Sequence, residues 1–137
     1  MVAIRRLARR GNGGFTLIEL LIVITLIMIL AGIAMVQYRS SVIAAEEAVL
    51  KTDLLRMRDA IDQYYADKGR YPATLDALVS DRYMREIPID PATRSRETWV
   101  TEQADPDPSN PSGGPGIYNV RSGSDRTGLN GTRYSTW

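Results

Sequence analysis

Residues 15–36, FTLIELLIVITLIMILAGIAMV, constrain this chain more than any other stretch. As a helix rising 1.5 Å per residue, about 22 residues reach roughly 33 Å, enough to cross a hydrocarbon core of about 30 Å. Gly32 is the only helix-weakening residue in the run. One carboxylate, Glu19, stands near its start. A charge in such a segment costs roughly 2.5–3.5 kcal/mol at the bilayer centre. Glu19 therefore needs either a cationic partner or a short reach to the membrane interface.

Residues 1–14 precede the run as a basic leader. It holds Arg5, Arg6, Arg9 and Arg10, no acid, and a glycine cluster of Gly11, Gly13 and Gly14. The whole chain has 17 basic and 16 acidic residues; without the four leader arginines the balance is 13 to 16. A basic tip thus precedes a mildly acidic body. Positive-inside logic puts the arginines in the cytoplasm and everything after Val36 across the membrane. A removable secretory signal fits poorly, because the apolar run is too long and passes without a break into Gln37-Tyr38-Arg39-Ser40.

The chain has no cysteine and no histidine. Disulfides, Cys/His metal sites and His-dependent nucleophiles are excluded, which removes most enzyme chemistry. No Lys/Arg run alternates with aromatics, so nothing suggests a nucleic-acid surface.

Residues 37–68 read as an amphipathic continuation of the same helix. Leu50, Leu54, Met57, Ile61 and Tyr64 recur at spacings of four and three, and Tyr38, Val42, Ala45 and Val49 extend the stripe backwards. Gly69 and Pro72 supply the stop. The expectation is one helix from Phe15 to about Lys68, on the order of 80 Å long, with its second half covered by a small domain at 69–137. In that domain, Leu75, Leu78 and Val79 suggest a short helix with Thr74 as N-cap. Ile87-Pro88-Ile89-Asp90-Pro91 is extended. Residues 98–101 and 117–120 read as strands, separated by an exposed Pro/Asp/Ser/Gly loop at 104–116 that includes Asp105-Pro106-Asp107-Pro108. Asn130-Gly131 marks a turn; Asn130-Gly131-Thr132 also fits a glycosylation sequon, and the turn is the preferred reading. The fold class is α+β.

Other chemistry-bearing residues have plain explanations. The pairs Asp53/Asp59 and Glu46/Glu47 read as solvated helix charges rather than catalytic carboxylates. Tyr64, Tyr65 and Tyr71 read as packing near a helix end rather than as a binding platform.

Gly14-Phe15-Thr16-Leu17-Ile18-Glu19, between a basic leader and an uninterrupted apolar helix, resembles the processing motif of type IV pilin-like proteins. The mature part is similar to the G-type major pseudopilin of type II secretion through residues 60–72, 75–79, 87–91 and 122–137. The resemblance implies a type IV pilin-like fold and a structural rather than enzymatic role, as a subunit of a periplasmic filament that drives protein export. A type IV pilin for adhesion, motility or DNA uptake is the alternative. It implies that a prepilin peptidase cuts between Gly14 and Phe15 and N-methylates the Phe15 amine. It further implies that subunits polymerise through their N-terminal helices, with minor pseudopilins and an inner-membrane assembly platform as partners. The new amine would sit at a helix start, where the macrodipole disfavours positive charge. Glu19 of a neighbouring subunit would neutralise it, and stranding one of two buried charges costs about 3–5 kcal/mol. Two departures stand out. Val36 occupies the position of a frequent helix-loosening proline. The calcium site that G-type relatives carry in the C-terminal loop would here rest on Asp125 and Asn130, a poor set for an ion that takes six to eight oxygens.

Overall fold

The computed structural model describes residues 14–105, 109 and 114–137. The leader arginines with Gly11 and Gly13, and Pro106-Asp107-Pro108 of the expected loop, lie outside the described residues. The chain divides into two compact units, Met1–Tyr38 and Arg39–Trp137. Helix α1, Leu17–Lys68, contributes to both.

In the first unit the helix is held by its own backbone and by small local bonds. Thr16 stands at the N-cap position: its Oγ1 accepts the Glu19 N–H at 3.3 Å, and its carbonyl accepts the Leu20 N–H at 3.1 Å. Thr25 donates its hydroxyl to the Leu21 carbonyl at 2.8 Å, which satisfies a polar group amid aliphatic neighbours. Among the described residues the large apolar side chains of this stretch stay exposed, from 44% at Val23 to 83% at Leu17. A Cβ at Gly32 would meet nothing within 4 Å. Among the described residues, α1 is the one helix long and apolar enough to cross a membrane.

The second unit is built on the remainder of α1. Leu50, Leu54, Met57, Ile61 and Tyr64 are all buried, as their spacing predicts. The backward extension of that stripe is different: Tyr38, Val42, Ala45 and Val49 are exposed. Burial instead continues from Leu50 to Glu47, with Glu46 and Ile43 half-buried. The same three-and-four spacing run back from Leu50 reaches 47 and 43, so Val49 lies beside the buried face and not on it. Gly69 ends the helix at φ +66, donating its N–H to the Tyr65 carbonyl at 2.8 Å, with Pro72 beyond.

Helix α2, Leu75–Ser80, buries Leu78 completely. Thr74 stands at its N-cap in extended conformation, but its hydroxyl makes no capping bond; only its carbonyl is used, by Ala77 N–H at 3.2 Å. Residues 87–89 belong to no regular element, and Asp90 forms an antiparallel bridge to Ser95. Strand β1, Val100–Gln103, pairs antiparallel with β2, Ile117–Arg121, aligning Val100 with Arg121 and Thr101 with Val120. A bulge at Glu102/Gln103 shifts the register so that Gln103 faces Ile117. The first strand begins two residues later than its sequence suggests, because Trp99 is buried and donates Nε1–H to the Pro88 carbonyl at 2.9 Å. β2 directs Ile117 and Val120 into the core. A 3-10 turn at Tyr134–Thr136, without a counterpart in the sequence reading, closes the chain and buries Tyr134.

Candidate functional site

The start of α1 carries the residues singled out by chemistry. Phe15 is 80% exposed just ahead of the helix. Thr16 and Glu19 share the first turn, in the Thr-x-x-Glu spacing of a capping box, and half of that box is formed by the Thr16 hydroxyl. This spacing was present in the sequence and explains why the helix starts where it does. A carboxylate in the first turn is also favoured by the helix dipole. Glu19 is exposed, and among the described residues no ion pair includes it. The site is therefore a short exposed stub, an aromatic side chain, a hydroxyl cap and a carboxylate, at the start of a helix that is mostly aliphatic to Val36.

The other expected site is the C-terminal segment. Asp125 and Asn130 are exposed. Asp125 Oδ1 accepts the Ser135 hydroxyl at 3.0 Å. Asn130 Oδ1 accepts both the Thr132 N–H at 3.0 Å and the Thr132 hydroxyl at 2.7 Å, and Gly131 adopts φ +81, so 128–132 is the turn its sequence suggests. Asp125 Oδ1 and Asn130 Oδ1 each accept bonds from neighbours, and no cluster of three acidic side chains occurs among the described residues. One side-chain carboxylate and one amide make a sparse donor set for an ion that takes six to eight oxygens.

The segment is nevertheless tied to the domain by residues that pattern alone assigned to solvent. Glu47 is buried, and its Oε1 accepts the Leu129 N–H at 2.6 Å and the Tyr134 hydroxyl at 3.2 Å. Burial, with the Glu47 bond adding to it, raises the Tyr134 phenol above its usual range. Asp53 is also buried; Arg56 lies 4.0 Å away. Glu46, half-buried, pairs with Arg126 at 3.8 Å, whereas Asp59 is exposed as expected. Asp90, fully buried, accepts the Ser122 hydroxyl at 2.6 Å and the Ala92 N–H at 2.8 Å.

The tyrosines pack near the helix end as anticipated. Ring centroids lie 4.4 Å apart for Tyr65 and Tyr71 and 5.3 Å for Tyr64 and Tyr83. Lys68 sits over the Tyr64 ring and pairs with Asp81. The Tyr83 and Tyr118 hydroxyls donate to Asp67 and Glu102, and those carboxylates push both phenols upward.

Residues 9–35 match the family described as the prokaryotic N-terminal methylation motif. The chain is 34% identical over 99 residues to type II secretion system core protein G of Pseudomonas aeruginosa, covering 61% of this chain and 70% of that protein. It is 30% identical over 99 residues to the core protein G of Klebsiella michiganensis, with the same coverage of 61% and 70%. A fimbrial protein, EcpC of Eikenella corrodens, is 36% identical over 84 residues, 58% of this chain and 55% of its own length. No solved structure matches.

Proposed function

We infer the role of this chain from its family: it belongs to the family of type II secretion system core protein G. It is a pilin-like structural subunit of the pseudopilus, anchored by an apolar N-terminal helix. The observation that carries this reading is the similarity to core protein G over 99 residues, together with an aliphatic helix surface that is exposed among the described residues.

The finer steps of the proposal concern residues 14–19. A prepilin peptidase cuts between Gly14 and Phe15 and methylates the Phe15 amine. The cut turns Phe15 into the first residue and leaves Thr16 to start the helix. The amine of one subunit then meets Glu19 of its neighbour. The exposed carboxylate, with no partner cation among the described residues, supports this reading. Each subunit sits in the inner membrane with its domain in the periplasm, as the leader arginines suggest by positive-inside logic. Subunits polymerise through their apolar helices on an inner-membrane platform, with minor pseudopilins, into a filament that pushes exported proteins outward. The similarity to a fimbrial protein favours a second reading, a type IV pilin.

Mass spectrometry of the protein purified from membranes tests the processing step. The expected mature chain begins at N-methylated Phe15. An intact leader, or a cut beyond residue 30, would overturn it.

A further inference from the structure

Residues 122–137 are shut onto α1 by one face of that helix. Glu47, Lys51, Leu54 and Arg58 stand at i, i+4, i+7 and i+11, a single stripe. Glu47 takes the Leu129 N–H and the Tyr134 hydroxyl. Lys51 places Nζ 4.4 Å over the Trp137 ring. Arg58 donates Nε–H to Asn119 Oδ1 at 2.9 Å and reaches the backbone oxygens of Val120 at 2.9 Å and Trp137 at 2.6 Å. Gly128 is part of the fit, since a Cβ there would lie 2.9 Å from both Glu47 Oε1 and the Trp137 ring. At its other end the segment is fixed by Ser122, whose hydroxyl donates to buried Asp90 and accepts the Ser124 N–H at 3.2 Å.

A bound calcium would order such a loop by collecting six to eight oxygens from it. Residues 122–137 contain one acidic side chain, Asp125, and its Oδ1 is bonded to Ser135. The closing carboxylate comes from the helix instead. We propose that Glu47 takes over the ordering role a metal would serve, and that this C-terminal segment reaches its final shape by protein side chains alone, without calcium. The proposal concerns the domain's own closure and stands or falls apart from the filament reading.

The test uses the full-length protein in detergent micelles. Wild type is expected to melt at the same temperature in millimolar calcium and in chelator, with the Leu129 amide protected from exchange in both. A melting point several degrees higher in calcium, or an amide protected only when calcium is present, overturns the proposal. Glu47→Ala is expected to melt about 5–10 °C lower, as the loss of a buried acceptor does in a domain of this size. Glu47→Gln, which keeps an acceptor oxygen, recovers most of that loss. An alanine variant that melts like wild type also overturns it. If the alanine variant does not fold, the calcium and exchange measurements on wild type decide alone.

Discussion

The two stretches of α1 are equally helical, and their apolar side chains have opposite fates. Between Leu17 and Val36 the aliphatic side chains stand open, whereas Leu50, Met57 and Ile61 are at most 1% exposed. The second stretch is amphipathic and finds its cover in the same chain, under α2, β2 and residues 122–137. The first is apolar over most of its surface, and its large apolar side chains are exposed among the described residues. Apolar burial is worth about 25 cal/mol per Å², so a surface of this size awaits lipid or other copies of itself. The one stretch encodes a domain and the other an assembly.

The strongest way to break that contrast is at Glu19. Glu19→Ala is expected to abolish filaments in cells without a wild-type copy, as seen by electron microscopy, while the subunit stays membrane-inserted and its domain melts normally. Normal filaments would show that the apolar surface alone sets the register. A smaller effect separates the stretches by packing. Met57→Ala should lower domain stability by about 2–5 kcal/mol, the usual cost of emptying a core site. Ile24→Ala, on the open surface, should change it by less than about 0.5 kcal/mol. Denaturant unfolding followed by Trp99 fluorescence measures both, and equal effects would erase the distinction.

The smallest effect sharpens the buried side. Burial raises the Asp53 carboxyl above its usual range, Arg56 pulls it back, and Asp90 adds to the rise. A carboxyl raised in the folded state favours folding below its unfolded value of about 4 and loses that contribution as pH climbs through the folded value. Asp53→Asn should therefore be more stable than wild type at neutral pH, with the gap closing below about pH 4. A gap that does not depend on pH would mean that the carboxylate carries no such penalty.

Much of this was legible from spacing. The stripe from Leu50 to Tyr64 and the Gly69 stop are local signals, and both helices form where their patterns indicate. The methylation motif that residues 9–35 match was legible for the same reason: every part of it is contiguous. What escaped is non-local. Glu47 and Asp53 look like surface charges until the chain returns, and the partners of Glu47 lie 82 and 87 residues away. The exposed stripe at 42, 45 and 49 was misplaced because residue type was followed where position mattered. The first strand slipped by two residues because Trp99 is claimed by Pro88, a contact that alternation cannot encode.

The bonds from Glu47 to Leu129 and from Arg58 to Trp137 also set an order of events in time. They span 82 and 79 positions, so these contacts form only after residues 129 and 137 have been made. Until then the face of α1 that carries Glu47 and Lys51 lacks the Tyr134 and Trp137 side chains that pack on it. Loop-closure entropy over about 80 residues must be met before those contacts are gained. That edge of the domain is thus the last to close, and a copy truncated near residue 125 would lack Tyr134 and Trp137 and leave part of the core cluster exposed to quality-control proteases.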